Sequence, residues 1–306
     1  MAIGNYIKEI GRGKDGARVL SRAQADDLLG QVLDGNVTDL EIGAFCLAMR
    51  IKGETPEEMC GFLDAAHSRM ALFPASDRPV IVLPSYNGAR KLPVLTPLLA
   101  LLLAREGLPV LLHGMRTEAR RTLASDVLLA LGVPALTAPE KIATGSVAHI
   151  ETGYLHAALA RLLKVREVVG LRNAGHSIVK LMNPCAGPAV VVTSYTHPEY
   201  YDMLQATFGA LHMTALLSRG LEGEVATDPR RTPRYDAFVA GVHQLLQEQQ
   251  PGTAADVPGL PTEIDIDTTA RYTQDVLDGR LPVPPALAQQ VEHILHLAAQ
   301  TPPHAP

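Results

Sequence analysis

The chain reads as an α/β protein, with a small N-terminal helical domain ahead of a larger α/β domain built on a mostly parallel sheet. Three observations predict this. Capping boxes follow one another through residues 21–58 with no strand pattern between them. From Val80 the text alternates short apolar runs with longer helical ones, the rhythm of strand–helix–strand units. The run Val80-Ile81-Val82-Leu83 is too short and too β-branched for a helix, and reads as a buried strand.

In the first region Ile3, Tyr6, Ile7 and Ile10 fall at helical spacing, and Gly11 to Gly16 is a flexible basic loop. Ser21-Arg22-Ala23-Gln24, Thr38-Asp39-Leu40-Glu41 and Thr55-Pro56-Glu57-Glu58 each open a helix. Phe73 to Ser76 is the linker. After the Val80 strand, Pro84-Ser85-Tyr86-Asn87-Gly88 is turn chemistry. A helix opens there with Thr96 as N-cap and Pro97 in its first turn, and stops at Gly107. Leu108 to Leu112 is the next strand. Residues 117–131 read as a helix, 154–182 as helical again, Ala189–Ser194 and Met213–Leu217 as strands, and Tyr235–Gln247 as an amphipathic helix. A last helix starts near Pro285, and residues 301–306 form a disordered tail.

Composition narrows the function. Of 306 residues, 47% are apolar and 19% charged, as in an ordinary globular protein. No apolar run spans a bilayer and the first residues lack a signal peptide's core, so a cytoplasmic protein without membrane contact is expected. Cys46, Cys60 and Cys185 have no metal-like spacing and read as reduced core thiols. The absence of Trp and the five Phe argue against a broad aromatic stacking platform. A net charge of −5 argues against a globally basic nucleic-acid binder, but phosphates respond to charge within a Debye length of about 8 Å.

Locally, bases do cluster. Lys8, Arg12 and Lys14 lie near the N-terminus, Arg116, Arg120 and Arg121 after the second strand, and Arg161, Lys164, Arg166, Arg172 and Lys180 in the middle helical stretch. Arg161 and Lys164, or Arg116 and Arg120, would be neighbours on a helix. Such faces are either solvated surface or a track for nucleic-acid phosphates, bound with steep salt dependence and no sequence preference. The loop Ser85, Tyr86, Asn87, Gly88, Arg90 and Lys91 is either a small-anion site or a plain connection. His113 ends a strand as a packed neutral imidazole or a base. His176 and His197 read as helix-entry residues rather than metal ligands. Glu222 and Glu224 are weak metal candidates.

The sequence resembles the anthranilate phosphoribosyltransferases, through Arg50-Ile51-Lys52-Gly53-Glu54-Thr55-Pro56-Glu57-Glu58, Asp126 to Val133 and Asn183-Pro184. That resemblance implies the nucleoside phosphorylase/phosphoribosyltransferase fold, usually dimeric. The expected division is a helical domain at 1–72 joined in space by about 154–184, and an α/β domain from 78–150 and 188–300. The enzymes carry a Gly-Thr-Gly-Gly-Asp loop for the diphosphate of phosphoribosyl pyrophosphate; here Pro84-Ser85-Tyr86-Asn87-Gly88 stands in its place. Their Lys-His-Gly-Asn-Arg loop reads Leu112-His113-Gly114-Met115-Arg116, and their magnesium-holding Asp-Glu reads Glu222-Gly223-Glu224. Arg166 matches the arginine that meets anthranilate.

Ile7 to Lys14, Pro84 to Lys91, Arg172 to His176, His197 to Tyr200 and Glu222 to Val225 are similar to the YbiB-like branch of that family. This resemblance implies a homodimer that binds nucleic acid, DNA or RNA, without sequence dependence, with no catalytic residues and no cofactor. The alternative is a glycosyltransferase of the phosphoribosyltransferase class with another acceptor, and only that alternative calls for magnesium.

Overall fold

The computed structural model describes residues 3–13, 15–254 and 256–302; Lys14 and residues 303–306 of the expected tail lie outside the described residues. Four helices come first: α1 (Gly4–Ile10), α2 (Arg22–Leu33), α3 (Asp39–Lys52) and α4 (Pro56–His67). Each of the three capping boxes forms, with Ser21, Thr38 and Thr55 accepting from the N3 amide while Gln24, Glu41 and Glu58 reach back to the cap. Glu58 also accepts from the Leu20 amide at 2.9 Å and pairs with Lys52 at 2.6 Å, tying the ends of three helices together.

The rest alternates strand and helix: β1 (Val80–Pro84), α5 (Thr96–Arg105), β2 (Val110–Gly114), α6 (Ala124–Ala130), β3 (Ala135–Leu136), β4 (Val147–Glu151) and α7 (Thr152–Leu155). Then come α8 (Ala157–Val169), α9 (Gly175–Leu181), β5 (Ala189–Tyr195), α10 (Tyr200–Ala210), β6 (Ala215–Arg219), β7 (Tyr235–Val239), β8 (Val242–Gln247), α11 (Ile266–Leu277) and α12 (Pro285–Gln300). One sheet runs β3-β4-β2-β1-β5-β6-β7-β8, parallel through β6 and antiparallel at β7 and β8. The architecture is therefore a helical bundle plus a larger α/β domain with a mostly parallel sheet.

The strands are apolar throughout because both faces are covered. Val80 and Val82 join the core shared with the N-terminal helices, α8 and α9, whereas Ile81 and Leu83 face α5 and α12. β1 lies between β2 and β5, so the chain leaves it in one direction and returns on the other side. A crevice opens beyond the carboxyl ends of such strands.

Three expectations fail. Tyr235–Gln247 is a β-hairpin, not a helix: Val239 pairs with Val242 across Ala240 and Gly241, at φ 46° and 81°. Two positive φ values make this a type I′ turn, and Ala is an unusual occupant that hides the hairpin signal. Residues 117–123 are loop, because Ala89 bridges Thr122 and Arg116 Nη1 donates to Arg121 O at 2.8 Å; helix α6 starts only at Ala124. Arg116 and Arg120 therefore share no helix face. Thr96 is the first residue of α5 rather than its cap, and its hydroxyl serves another partner. Among the described residues no helix is long and apolar enough to cross a membrane.

Candidate functional site: a filled loop beneath a basic cleft

The loop after β1 wraps around two carboxylates of its own chain. Glu224 Oε1 accepts from the amides of Asn87 and Gly88 at 3.0 and 2.8 Å. Its Oε2 accepts from Ser85 Oγ at 2.6 Å and Thr96 Oγ1 at 3.0 Å. Glu222 Oε2 accepts from the amides of Arg90 and Lys91, both at 2.9 Å, and its Oε1 lies 3.7 Å from Arg90 and from Arg121. Left-handed backbone at Glu222 and Gly223, φ 55° and 84°, splays the two acids onto separate amide pairs. A side chain at Gly223 would strike Asn87 Nδ2.

Beneath the loop Tyr86 is buried, its hydroxyl 2.7 Å from His113 Nδ1 and accepting from Thr152 Oγ1 at 2.9 Å. Burial pushes the His113 imidazole down to about 3 and the Tyr86 phenol up, so both are neutral core groups. His113 is thus placed in packing, away from solvent.

Above the loop a cleft of about 540 Å³ separates α3 and the α8–α9 segment from the ends of β5 and α10. Arg172 reaches it from the segment between α8 and α9, donating to Asn87 Oδ1. Lys180 donates to Gly223 O at 3.0 Å, and burial together with the charge of Arg172 lowers its amine to about 8. Arg166 and Arg121 share Glu118, at 3.1 and 2.9 Å. Arg50 completes the basic lining. Among the described residues Arg50, Arg172 and Lys180 make no ion pair, whereas most surface arginines nearby do.

The structure gathers Arg121, Arg166, Arg172 and Lys180 of the expected basic set and disperses the others. Arg12 is held by Glu9 at 2.7 Å and Arg116 by Asp126. Lys8, Arg120, Arg161 and Lys164 are exposed away from the cleft lining, and Arg90 and Lys91 are exposed on the loop. Sequence reasoning missed Arg50, Ser194, Tyr195 and Tyr200 as site residues, although the crevice rule for parallel sheets points to the end of β5. It read His176 only as a helix entry. The residue lines the cleft with Nε2 unpartnered among the described residues, and burial plus the charges of Arg172 and Arg166 press it to about 3.

Magnesium does not fit Glu224, whereas Glu222 keeps Oε1 without a hydrogen-bond partner among the described residues. A carboxylate offers about four lone-pair positions, and at Glu224 four donors meet them. Among the described residues no group of three or more His, Cys, Asp or Glu side chains is placed to hold a metal.

Residues 5–70 match the glycosyl transferase family helical bundle domain. The chain is 38% identical over 292 residues to the uncharacterized protein YbiB of Escherichia coli (strain K12), covering 93% of this chain and 91% of that one. It is 33% identical over 281 residues to the anthranilate phosphoribosyltransferase of Desulfosudis oleivorans, covering 85% and 79%. Its fold superposes on the anthranilate phosphoribosyltransferase of Thermus thermophilus with TM-score 0.71 at 20% identity, covering 96% and 87%. The Saccharomyces cerevisiae enzyme solved with PRPP and Mg gives 0.68 at 14%, covering 96% and 88%. With this identity over most of its length, and the helical bundle and α/β sheet to match, the chain belongs to the anthranilate phosphoribosyltransferase family.

Proposed function

We propose that this protein binds nucleic acid by its phosphate backbone and performs no phosphoribosyl transfer. One observation carries the reading: the amides at the diphosphate-loop position are occupied by Glu222 and Glu224, while Arg172, Lys180 and Arg50 line the cleft above them with no ion pair among the described residues. A diphosphate entering that loop would meet two buried acids instead of free N–H groups, which is repulsive in a medium of low dielectric. The cations above keep their attraction for phosphate. Exposed Lys8, Arg120, Arg161 and Lys164 add positive charge on the surface away from the cleft, and a homodimer, also proposed, would double the set. Binding of this kind releases counterions, about 0.7 in the salt slope for each single-strand phosphate neutralised.

The second reading is transfer from phosphoribosyl pyrophosphate to an acceptor other than anthranilate. The 33% identity to an enzyme of that class favours it. Titration of a labelled single strand at two salt concentrations separates the two. The expected result is binding that weakens steeply with salt. Absent or salt-indifferent binding overturns the proposal, as does a melting temperature raised several degrees by phosphoribosyl pyrophosphate with magnesium.

A further inference from the structure

We infer that the cleft is a subsite for one unpaired nucleotide, with its phosphate on the Arg172–Lys180 wall and its base against Tyr195, His197 and Tyr200. The inference rests on the nucleic-acid reading above and adds to it the form of the ligand and the place it enters.

The two walls differ in chemistry. Arg166, Arg172 and Lys180 come from α8, α9 and the segment between them. The opposite wall is the end of β5 with the start of α10, where Tyr195, His197 and Tyr200 line the space. The His197 and Tyr200 rings lie 6.4 Å apart, and Tyr195 packs edge-on to Tyr201 at 5.5 Å, which steadies its ring. The chain has no Trp and five Phe, so two of its eight Tyr beside a His in one cleft is a local concentration. Such rings stack bases of any sequence.

Polar groups with unused hydrogen-bonding capacity lie between the walls. Ser194 and His176 are 6% exposed, line the cleft, and leave Oγ and Nε2 without partners among the described residues; Arg166 Nη1 does the same. His176 Nδ1 lies 3.3 Å from both the Asn173 amide and Asn173 Oδ1. Whichever ring nitrogen holds the proton of the neutral imidazole, Nε2 can meet a ligand, as donor to a phosphate or base oxygen or as acceptor from a base N–H. The acids in the lining are Glu54 and Glu199, and burial raises the Glu54 carboxyl towards its neutral form.

Size sets the selectivity. About 540 Å³ falls within the small-ligand range of roughly 300–1,000 Å³ and cannot admit a duplex, whose bases are in any case stacked on each other. Entry requires an unpaired base.

The test compares one labelled oligonucleotide as a single strand and as a duplex, on the full chain. The single strand should bind at least tenfold tighter. Tyr200→Ala should lower single-strand affinity between about fivefold and a hundredfold with the salt slope unchanged, while Tyr200→Phe, which keeps the ring, retains affinity. Arg172→Ala should instead reduce the slope by about 0.7. Equal affinity for both forms, or a Tyr200→Ala protein that binds normally, overturns the inference and leaves backbone binding on the exposed bases intact. Failure of both forms to bind overturns the broader reading instead.

Discussion

The loop after β1 and the cleft above it are neighbours, yet their polar groups are in opposite conditions. In the loop four amides and two hydroxyls close on Glu222 and Glu224, and Asn87 Nδ2 is the donor left without an acceptor among the described residues. In the cleft, Arg172 and Lys180 have only neutral oxygens and His176 Nε2 has no partner among the described residues. The first region is an anion site already satisfied by its own chain and therefore structural. The second retains cations that make no ion pair among the described residues. On the proposed reading, the family fold keeps its crevice while the binding chemistry moves from backbone amides to side-chain cations.

Breaking the satisfied region should have the largest effect. Glu224→Ala leaves two amides and two hydroxyls unpaired in a buried place, and should cost about 3–5 kcal/mol, read as a lower urea midpoint at unchanged slope. A loss below about 1 kcal/mol would show that the acid is not what holds the loop.

The cleft should respond to pH rather than to unfolding. The Lys180 amine is lowered to about 8, and a bound phosphate would hold its proton more tightly. Binding then takes up a proton above that value, so affinity falls as pH rises through about 8, by at most tenfold per unit. Lys180→Arg, whose guanidinium stays charged, should flatten the profile. An unaltered profile in that variant would remove Lys180 from the contact.

The link between the two regions is Asn87, whose amide serves Glu224 while its side chain accepts from Arg172. Asn87→Ala keeps the amide and frees the guanidinium. Stability should drop by about 1 kcal/mol and single-strand affinity by a few fold, compared by denaturation and titration on one preparation. A loss as large as that of Glu224→Ala would mean that the regions are one unit.

The fold was legible wherever its signals are local. Capping boxes lie within four residues, and β1 is a continuous apolar run. Helix α11 is the exception, missed although its signals are local: Asp265 caps it by accepting from the Thr268 amide, and Thr269, Ala270, Tyr272, Thr273 and Val276 form its buried side. The hairpin at 235–247 was hidden by Ala240 in a left-handed turn. At the site, the altered loop was readable from Ser85 to Gly88, but its filling was not, since Glu224 lies 137 positions from Asn87. Basic residues were readable as a set. Which of them are neutralised, as Arg12 is by Glu9 and Arg116 by Asp126, depends on neighbours that only the folded chain supplies.

The distance along the chain between the loop and its acids has a consequence for motion. Ser85 and Glu224 are 139 positions apart and meet only once β5 and β6 have been laid beside β1. Closing so long a span belongs late in assembly. In the finished protein, opening of the short turn at 222–224 frees the amides of residues 87, 88, 90 and 91 together. Those four amides should therefore exchange with solvent hydrogen as one cooperative unit, although they sit on the far side of a β-strand from the segment that protects them.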